Sequence, residues 1–298
     1  MKRLLKGLVW IVAVLVMLAS GLVGYVYAVS GARLSKSYTV SVPSLTIPSD
    51  PASLARGKYI VEKVSQCTDC HAPDLGGKEM ENNFAMGRLH SANLTRGRGG
   101  IGARYTDQDF VRTMLHGVRP DGKSVVYMPS ADYHFTEHDL ASVIAYVKSV
   151  PPVDREHPAP AAGPMTRALS VFVGFPLSPA SLIDHDRVTF ATPKDEHNPA
   201  AIGEQLVGTA GCVGCHGPEF AGGGGPPPGA GNITPVGIGS WTQQDFLTAV
   251  RDHKRPNGTT IDDAMPRGYG QMSETDLCNI FAFLKTLPAK GEKTKNQK

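Results

Sequence analysis

The pattern Cys-x-x-Cys-His occurs twice in the chain and is its clearest sign of chemistry. Its members are Cys67, Cys70 and His71 in the first copy and Cys212, Cys215 and His216 in the second. Two thiols three residues apart can form a redox-active disulfide, bind zinc, or attach a haem group. The histidine that directly follows favours haem, because a c-type site joins both thiols to the porphyrin and places that imidazole beneath it as an iron ligand.

Redox-disulfide and zinc chemistry would each need neighbours that these motifs do not have. A thioredoxin-like dithiol belongs to a strand–helix context, and no alternating strand pattern leads into either motif. A zinc site would need two more Cys or His close by, whereas residues 72–74 and 217–219 contain none. Because the motif stands at equivalent points of two similar halves, the sequence predicts two covalently attached haem c groups.

The second half of the chain repeats the landmarks of the first half in the same order. After the Cys motif come an Asn-Leu/Ile-Thr triplet, an aromatic-Thr-x-x-Asp-Phe segment, an Arg-Pro-Asp/Asn-Gly turn, a Met-Pro pair and a terminal amphipathic segment. These are residues 93–95, 105–110, 119–122, 128–129 and 139–151 in the first half, and residues 232–234, 241–246, 255–258, 265–266 and 276–288 in the second. Such a repeat predicts two homologous domains of about 100 residues each, a usual size for independent folding.

Both halves show the periodicity and the capping residues of α-helices. In the terminal segments, apolar residues recur at i, i+3, i+4 and i+7 from Leu140 and again from Leu277. Thr136 and Ser273 each stand three residues before an aspartate, which is a helix-capping signature. No alternating strand pattern of useful length appears, so we predict an all-α fold with two tandem domains behind an N-terminal transmembrane helix.

The N-terminal segment predicts export and membrane attachment. Gly7 to Val29 is a run of 23 uncharged, mostly apolar residues, and about 20 suffice for a helix to span the hydrocarbon core of a bilayer. Basic residues precede the run, so the rest of the chain is expected on the extracytoplasmic side. Residues 26–28 form a passable cleavage site, so removal of the segment is an alternative, although its length favours a retained anchor.

The expected organisation of the chain follows from these patterns. Residues 153–200 are proline-rich and lack the repeat, so they are expected to form an ordered connector with a possible short helix. The predicted units are a transmembrane signal anchor at 1–30, a linker at 31–50, domain 1 at 51–152, the connector at 153–200, and domain 2 at 201–298 with a polar C-terminal tail.

An iron that carries single electrons in a low-spin state needs a second axial ligand opposite the histidine. Met128 and Met265 occupy matching positions in the two halves, and each precedes a proline. A thioether ligand there would stabilise ferrous iron and raise the reduction potential. The alternative is that these are gap-filling core methionines, in which case His90 or His134 would be the reserve ligand of a bis-histidine first haem. Met272 is expected to be a core residue.

In this order, the motifs resemble class I cytochrome c domains, and more narrowly those of the cytochrome subunits of membrane-bound alcohol, gluconate and sugar dehydrogenases. The resemblance covers residues 51–151 and 201–288. It implies that each Cys pair holds one haem and that each iron has one histidine and one methionine as axial ligands. The implied axial pairs are His71 with Met128 and His216 with Met265. Such subunits generally carry three haems, whereas this chain has two motifs and an N-terminal anchor.

Two tandem haems on an exported, tethered chain indicate an electron carrier rather than an enzyme with catalytic residues of its own. We expect single-electron transfer from a dehydrogenase or quinol-linked donor to an acceptor such as a terminal oxidase, on the periplasmic side of the cytoplasmic membrane. The net charge of +3 gives no reason to expect nucleic acid as a partner. The alternative is a dihaem enzyme of the peroxidase or thiosulfate-oxidising type. It would need an open sixth position or a cysteine ligand, for which Cys278 is the one candidate.

Replacing one motif cysteine should remove covalent haem from one site only. Cys70→Ser is expected to lower haem staining of the denatured polypeptide to about half, because the second motif remains intact. Cys278→Ser removes the fifth cysteine and should leave the stain unchanged. Equal staining of Cys70→Ser and the unaltered chain would contradict this assignment of the attachment site.

Overall fold

Helices dominate the structure, a computed structural model that describes residues 2–223 and 230–291. The predicted polar tail lies, from residue 292 onward, outside the described residues. The α-helices are α1 (Lys2–Ser35), α2 (Pro51–Tyr59), α3 (Cys67–His71), α4 (Asp107–His116), α5 (Glu137–Ser149), α6 (Pro164–Phe172), α7 (Pro199–Ala210), α8 (Val213–His216), α9 (Pro235–Ile238), α10 (Gln243–Asp252) and α11 (Glu274–Thr286). A π-helical turn at Ile60–Val64 extends α2, and 3-10 turns cover Pro179–Leu182 and Arg267–Gln271.

The helix α1 contains the apolar N-terminal run. It is 34 residues long, and the most apolar stretch of 18 residues has a mean hydropathy of 2.4 with none of its residues buried. The helix is long and apolar enough to cross a membrane, by length and composition, and a cleaved signal sequence would have the same properties. Only Val26 and Ser30, near its C-terminal end, are buried against the rest of the protein.

The first and last helices of each half cross at a glycine. In the first half α2 packs on α5, and a Cβ atom at Gly57 would lie 1.9 Å from the carbonyl oxygen of Ser142. In the second half α7 packs on α11, and a Cβ atom at Gly203 would lie 2.0 Å from the carbonyl oxygen of Asn279. The backbones therefore approach so closely that only glycine fits at either crossing.

The predicted capping signatures are confirmed. The Thr136 and Ser273 hydroxyls each accept a hydrogen bond at 3.1 Å from the backbone N–H of the aspartate three residues later. Thr106 and Thr242 go further and form reciprocal capping boxes at the start of α4 and α10. The loops that follow these two helices also match, because Arg119 donates its backbone N–H to Lys123 at 2.8 Å as Arg255 does to Thr259 at 2.9 Å. The division into two domains itself stays a prediction.

A small antiparallel sheet departs from the all-α prediction. Its strands are β1 (Glu79–Asn83), β2 (Gly87–His90) and β3 (Ala161–Ala162), in the order β1-β2-β3. Every residue of β1 is exposed, so the strand lacks the alternation of apolar and polar residues by which a half-buried strand is recognised in a sequence. The third strand comes from the connector and ties that segment to the first half of the chain.

The two halves contact each other reciprocally. Tyr59, two residues after the crossing glycine of the first half, donates its hydroxyl to Asp276 of the second half at 2.5 Å. Gln205, two residues after the crossing glycine of the second half, donates its amide to Asp139 of the first half at 3.2 Å. Because the residues occupy equivalent positions and exchange roles, the halves are related by an approximate two-fold axis at this contact.

Filling a helix crossing should destabilise the protein. Gly203→Ala is expected to lower the free energy of unfolding by about 1–3 kcal/mol, because a methyl group has no space against Asn279. Gly31→Ala in α1 is the matched control, since its new Cβ would meet no atom within 4 Å. Thermal unfolding followed by far-UV circular dichroism measures both, and equal midpoints for the two variants would contradict the close crossing.

Candidate functional site

Both Cys-x-x-Cys-His motifs fold as short helical turns. Cys67 to His71 forms α3, and Val213–His216 forms α8 directly after Cys212. All four motif cysteines are free thiols rather than disulfides. Two cysteines three residues apart on one helical turn point to the same side, which is the placement that two thioether bonds to one ring system require.

The environment of the first cysteine in each motif opposes thiolate chemistry. Burial raises the pKa of Cys67 to about 12 and the pKa of Cys212 to about 12, with the neighbouring motif thiol adding to the effect in both cases. A redox-active or zinc-binding cysteine needs the opposite shift, because the thiolate is the reacting species. The local electrostatics therefore agree with thiols that become thioethers.

The two motif histidines are held in the same orientation. The Nδ1 atom of His71 bonds to the backbone carbonyl of Ala92 at 2.8 Å, and that of His216 bonds to the carbonyl of Gly231 at 2.8 Å. A carbonyl can only accept, so Nδ1 carries the proton and Nε2 keeps its lone pair. Burial lowers the pKa of both imidazoles. Each ring is thus neutral and presents Nε2 as a ligand, the tautomer that a metal-binding histidine needs.

The carbonyl groups that orient the histidines are themselves anchored. Asn93, next to Ala92, donates its side-chain amide to the carbonyl of Val153 at 2.7 Å, and its side-chain oxygen accepts the backbone N–H of Thr95 at 2.9 Å. Asn232 makes the same two bonds, to the carbonyl of Lys290 at 2.8 Å and from the N–H of Thr234 at 2.9 Å. The Asn-x-Thr triplets were visible in the sequence as a repeat, but their role in positioning the histidines was missed.

The predicted methionine ligands lie in loops before the last helix of each half. Met128 is half-buried and packs against the hydrophobic core, and Met265 is half-buried in the corresponding loop between α10 and α11. Met272, by contrast, is only 3% exposed and lies within the core, as expected. The pairing of Met128 with His71 and of Met265 with His216 stays a prediction.

The reserve ligands His90 and His134 are poorly placed. His90 is followed by Ser91, whose hydroxyl donates to the carbonyl of Cys70 at 2.5 Å, so this segment runs beside α3 on the side of His71. A sixth ligand has to come from the opposite face of the ring. His134 is exposed at the contact between the halves.

Each motif segment lies directly against a loop of the other half. A Cβ atom at Gly214, inside the second motif, would lie 2.5 Å from the Asp132 carboxylate of the first half. In the reciprocal contact, a Cβ atom at Gly268 of the second half would lie 1.5 Å from the side-chain oxygen of Gln66, which precedes the first motif. Each candidate haem site is therefore bordered by a loop of the other half.

Two half-buried tyrosines lie close to these contacts. Tyr133 donates its hydroxyl to the carbonyl of Ser65 at 3.1 Å, and Tyr269 donates to the carbonyl of Ala210 at 2.9 Å. Each acceptor stands two residues before the first cysteine of its motif. Burial raises the pKa of both phenols far above the usual value, with the nearby motif thiols as further causes. The phenols thus stay neutral donors, and sequence reasoning missed them because they follow no motif spacing.

The residues present fit two covalently attached haem groups. Each motif offers two thiols on one helical turn and one neutral imidazole with its Nε2 lone pair available. The same donor set and the same supporting hydrogen bonds occur in both halves.

Comparison with known proteins identifies the family of the second half. Residues 200–288 match the family model for cytochrome c. The chain is 29% identical over 267 residues to the fructose dehydrogenase cytochrome subunit of Gluconobacter japonicus, covering 80% of this chain and 54% of that protein. It is 28% identical over 286 residues to the cytochrome c subunit of the quinone alcohol dehydrogenase of Gluconacetobacter polyoxogenes, covering 82% and 58%.

A shorter relative matches over most of its length. The dihaem c-type cytochrome of Cereibacter sphaeroides is 27% identical over 259 residues, covering 75% of this chain and 82% of that protein. The chain spans a little over half the length of the two dehydrogenase subunits. The chain thus contains a cytochrome c domain and is homologous to proteins named as cytochromes or cytochrome subunits, which confirms the resemblance drawn from its motifs.

Removing either phenol hydroxyl should destabilise the segment that leads into one motif. Tyr133→Phe and Tyr269→Phe are each expected to cost about 1–3 kcal/mol of stability, because a buried carbonyl next to a motif loses its donor. Tyr25→Phe, at an exposed position of α1, is the control and should leave stability unchanged. Denaturant unfolding of the solubilised protein tests this, and wild-type stability of both interface variants would contradict the inferred role.

Proposed function

We propose that this chain, which contains a cytochrome c domain over residues 200–288, is a membrane-anchored dihaem electron carrier that serves a dehydrogenase. One observation carries the proposal: both Cys-x-x-Cys-His motifs have the same thiol placement and the same histidine orientation. The homology to cytochrome subunits of fructose, alcohol and gluconate dehydrogenases supports the choice of partner.

Two haem c groups are the proposed cofactors. The first would be held by Cys67, Cys70, His71 and Met128, and the second by Cys212, Cys215, His216 and Met265. When bound, each haem would supply one reversible one-electron couple of iron. The protein contributes burial of the donor atoms and a fixed imidazole orientation, which are the means by which a fold tunes such a couple.

Two tandem domains, residues 51–152 and 201–298, are proposed to divide the task of receiving and delivering electrons. Tyr133 and Tyr269 each tie the segment that leads into one motif to a loop of the same half. Each motif segment also packs against a loop of the other half, at Gly214 and at Gly268. The arrangement favours transfer within one molecule over repeated encounters in solution.

Helix α1 is proposed to be a retained anchor. Lys2, Arg3 and Lys6 precede the apolar run and would stay in the cytoplasm. The remainder would then lie on the periplasmic side of the inner membrane, near a dehydrogenase or quinol-oxidising complex as the proposed donor and a terminal oxidase as the proposed acceptor. The name of the Gluconacetobacter polyoxogenes relative includes a quinone, which agrees with such a location for the electron path.

Among the described residues, Cys278 is poorly suited to the alternative of a dihaem enzyme. A cysteine-ligated iron would need Cys278, but this thiol lies half-buried on α11 and packs against the core. Burial also raises the pKa of Cys278, with nearby Glu274 adding to the effect, so the thiol is not prepared to act as a thiolate ligand.

The decisive experiment purifies the full chain from its native membranes together with the subunits that stay bound. Adding fructose, ethanol or gluconate without oxygen should reduce both haems, seen in the reduced α band. The purified chain alone should neither oxidise these compounds nor bind carbon monoxide. Carbon monoxide binding by one ferrous haem, or peroxide turnover by the chain alone, would overturn the electron-carrier proposal and favour the dihaem enzyme.

Replacing an axial methionine by histidine should lower the potential of one centre. Met128→His and Met265→His are each expected to keep the haem attached and to shift one midpoint potential down by on the order of 100 mV, because imidazole stabilises ferric iron more than a thioether does. Met272→Leu replaces a core methionine and is the control. Redox titration with two unchanged potentials in either histidine variant would show that the ligand assignment is wrong.

A further inference from the structure

The connector helix α6 has its polar and apolar sides reversed relative to a helix on a water-exposed surface. Its small polar residues face inward, because Thr166 is 0% exposed and Ser170 2% exposed. Its large apolar residues face outward, because Met165 is 51% exposed and Phe172 58% exposed, followed by Val173 at 63%. A water-exposed helix places its apolar stripe toward the core, so the outer side of α6 is not arranged for water.

A neighbouring turn enlarges the apolar surface. Phe84, 89% exposed, lies between β1 and β2. The backbone N–H of Met165 donates to the carbonyl of Ala85 at 2.9 Å, and Thr166 donates its hydroxyl to the carbonyl of Met86 at 2.7 Å. The turn and α6 therefore form one unit, whose outward apolar residues we call the α6 patch: Phe84, Met165, Phe172 and Val173.

The α6 patch is attached to the end of the apolar helix α1. Arg33 of α1 donates to the carbonyl of Ser170 at 2.6 Å. In the other direction Arg167 of α6 donates to the hydroxyl of Ser30 at 3.0 Å and lies over the ring of Tyr27 at 4.8 Å. These contacts fix the height of α6 along α1.

That height coincides with the expected membrane surface. If the uncharged run ends at Val29 at the outer edge of the hydrocarbon core, the contacts from Tyr27 to Arg33 extend from about 3 Å below that edge to about 6 Å above it, at 1.5 Å per residue. This layer contains the lipid headgroups, where aromatic rings and arginines are favoured. An interfacial helix buries its apolar side about 5–10 Å into the same layer.

We propose that the α6 patch inserts into the outer headgroup layer of the bilayer crossed by α1. The inference rests on the proposed role of α1 as an anchor. Arg33 and Arg167 would face lipid phosphates while Met165, Phe172 and Val173 lie among the upper acyl chains. With two attachments instead of one, the exported part of the chain is held at a fixed height and orientation above the membrane.

The test uses the full haem-loaded chain in phosphatidylcholine vesicles that contain a photoreactive phospholipid with a diazirine on its acyl chain. Mass spectrometry of the peptides should find label in α1 and in residues 165–173. Leu182, 62% exposed outside the patch, provides the reference peptide and should carry none. Phe172→Asp should reduce label in residues 165–173 at least about threefold, whereas Leu182→Asp should not change it.

The outcomes separate this inference from the proposed function. Label in α1 with no more label in residues 165–173 than at Leu182 would overturn the insertion of the α6 patch and support α1 as the anchor. Label in residues 165–173 on a mature chain that lacks residues 1–28 would support membrane insertion of the α6 patch and overturn the proposal that α1 is a retained anchor. Crosslinks from the patch to a co-purified subunit, without lipid adducts, would show that a protein partner covers it and would also overturn the inference.

Discussion

The bond from the Nδ1 atom of each motif histidine to a backbone carbonyl is the interaction on which the candidate sites depend. It decides which ring nitrogen is free for iron, and it fixes the direction in which that nitrogen points. The accepting carbonyl is held in turn, because the adjoining Asn93 or Asn232 side chain is tied to the chain just beyond the last helix of its half. The motif, the loop and the chain after the terminal helix are thus linked by a continuous series of hydrogen bonds. A displacement of the helix is therefore transmitted to the histidine.

The contact between the halves is made by each motif segment against a loop of the other half. Glycines at positions 214 and 268 allow the segments to approach, and two neutral phenols satisfy the carbonyls that would otherwise be buried without a donor.

The proposed insertion of the α6 patch gives the connector a role beside α1 in orienting the protein on the membrane. A chain held by a single transmembrane helix can tilt and rotate freely above the bilayer, whereas the proposed second contact at the α6 patch would restrict both motions. Electron transfer between membrane-bound partners benefits from such restriction, because fewer encounters occur in the wrong orientation. The arginines at the α1–α6 contact hydrogen-bond to the neighbouring helix, and with α1 as the proposed anchor they would lie at the height of the headgroups.

Besides the repeat, which a comparison of the two halves shows, what the sequence alone determined was local: the two Cys-x-x-Cys-His turns, the capping residues and the apolar N-terminal run. Each of these local features depends on residues close together in the chain, so a spacing is sufficient to identify it. The partner of His71 stands 21 residues away and the partner of Tyr133 stands 68 residues away, and no periodicity marks either. The short strands were missed because their exposed residues do not alternate, and the place of α6 beside α1 depends on contacts 137 residues apart. These features were decided only by the tertiary structure, because burial and long-range pairing of backbone groups, rather than residue spacing, select them.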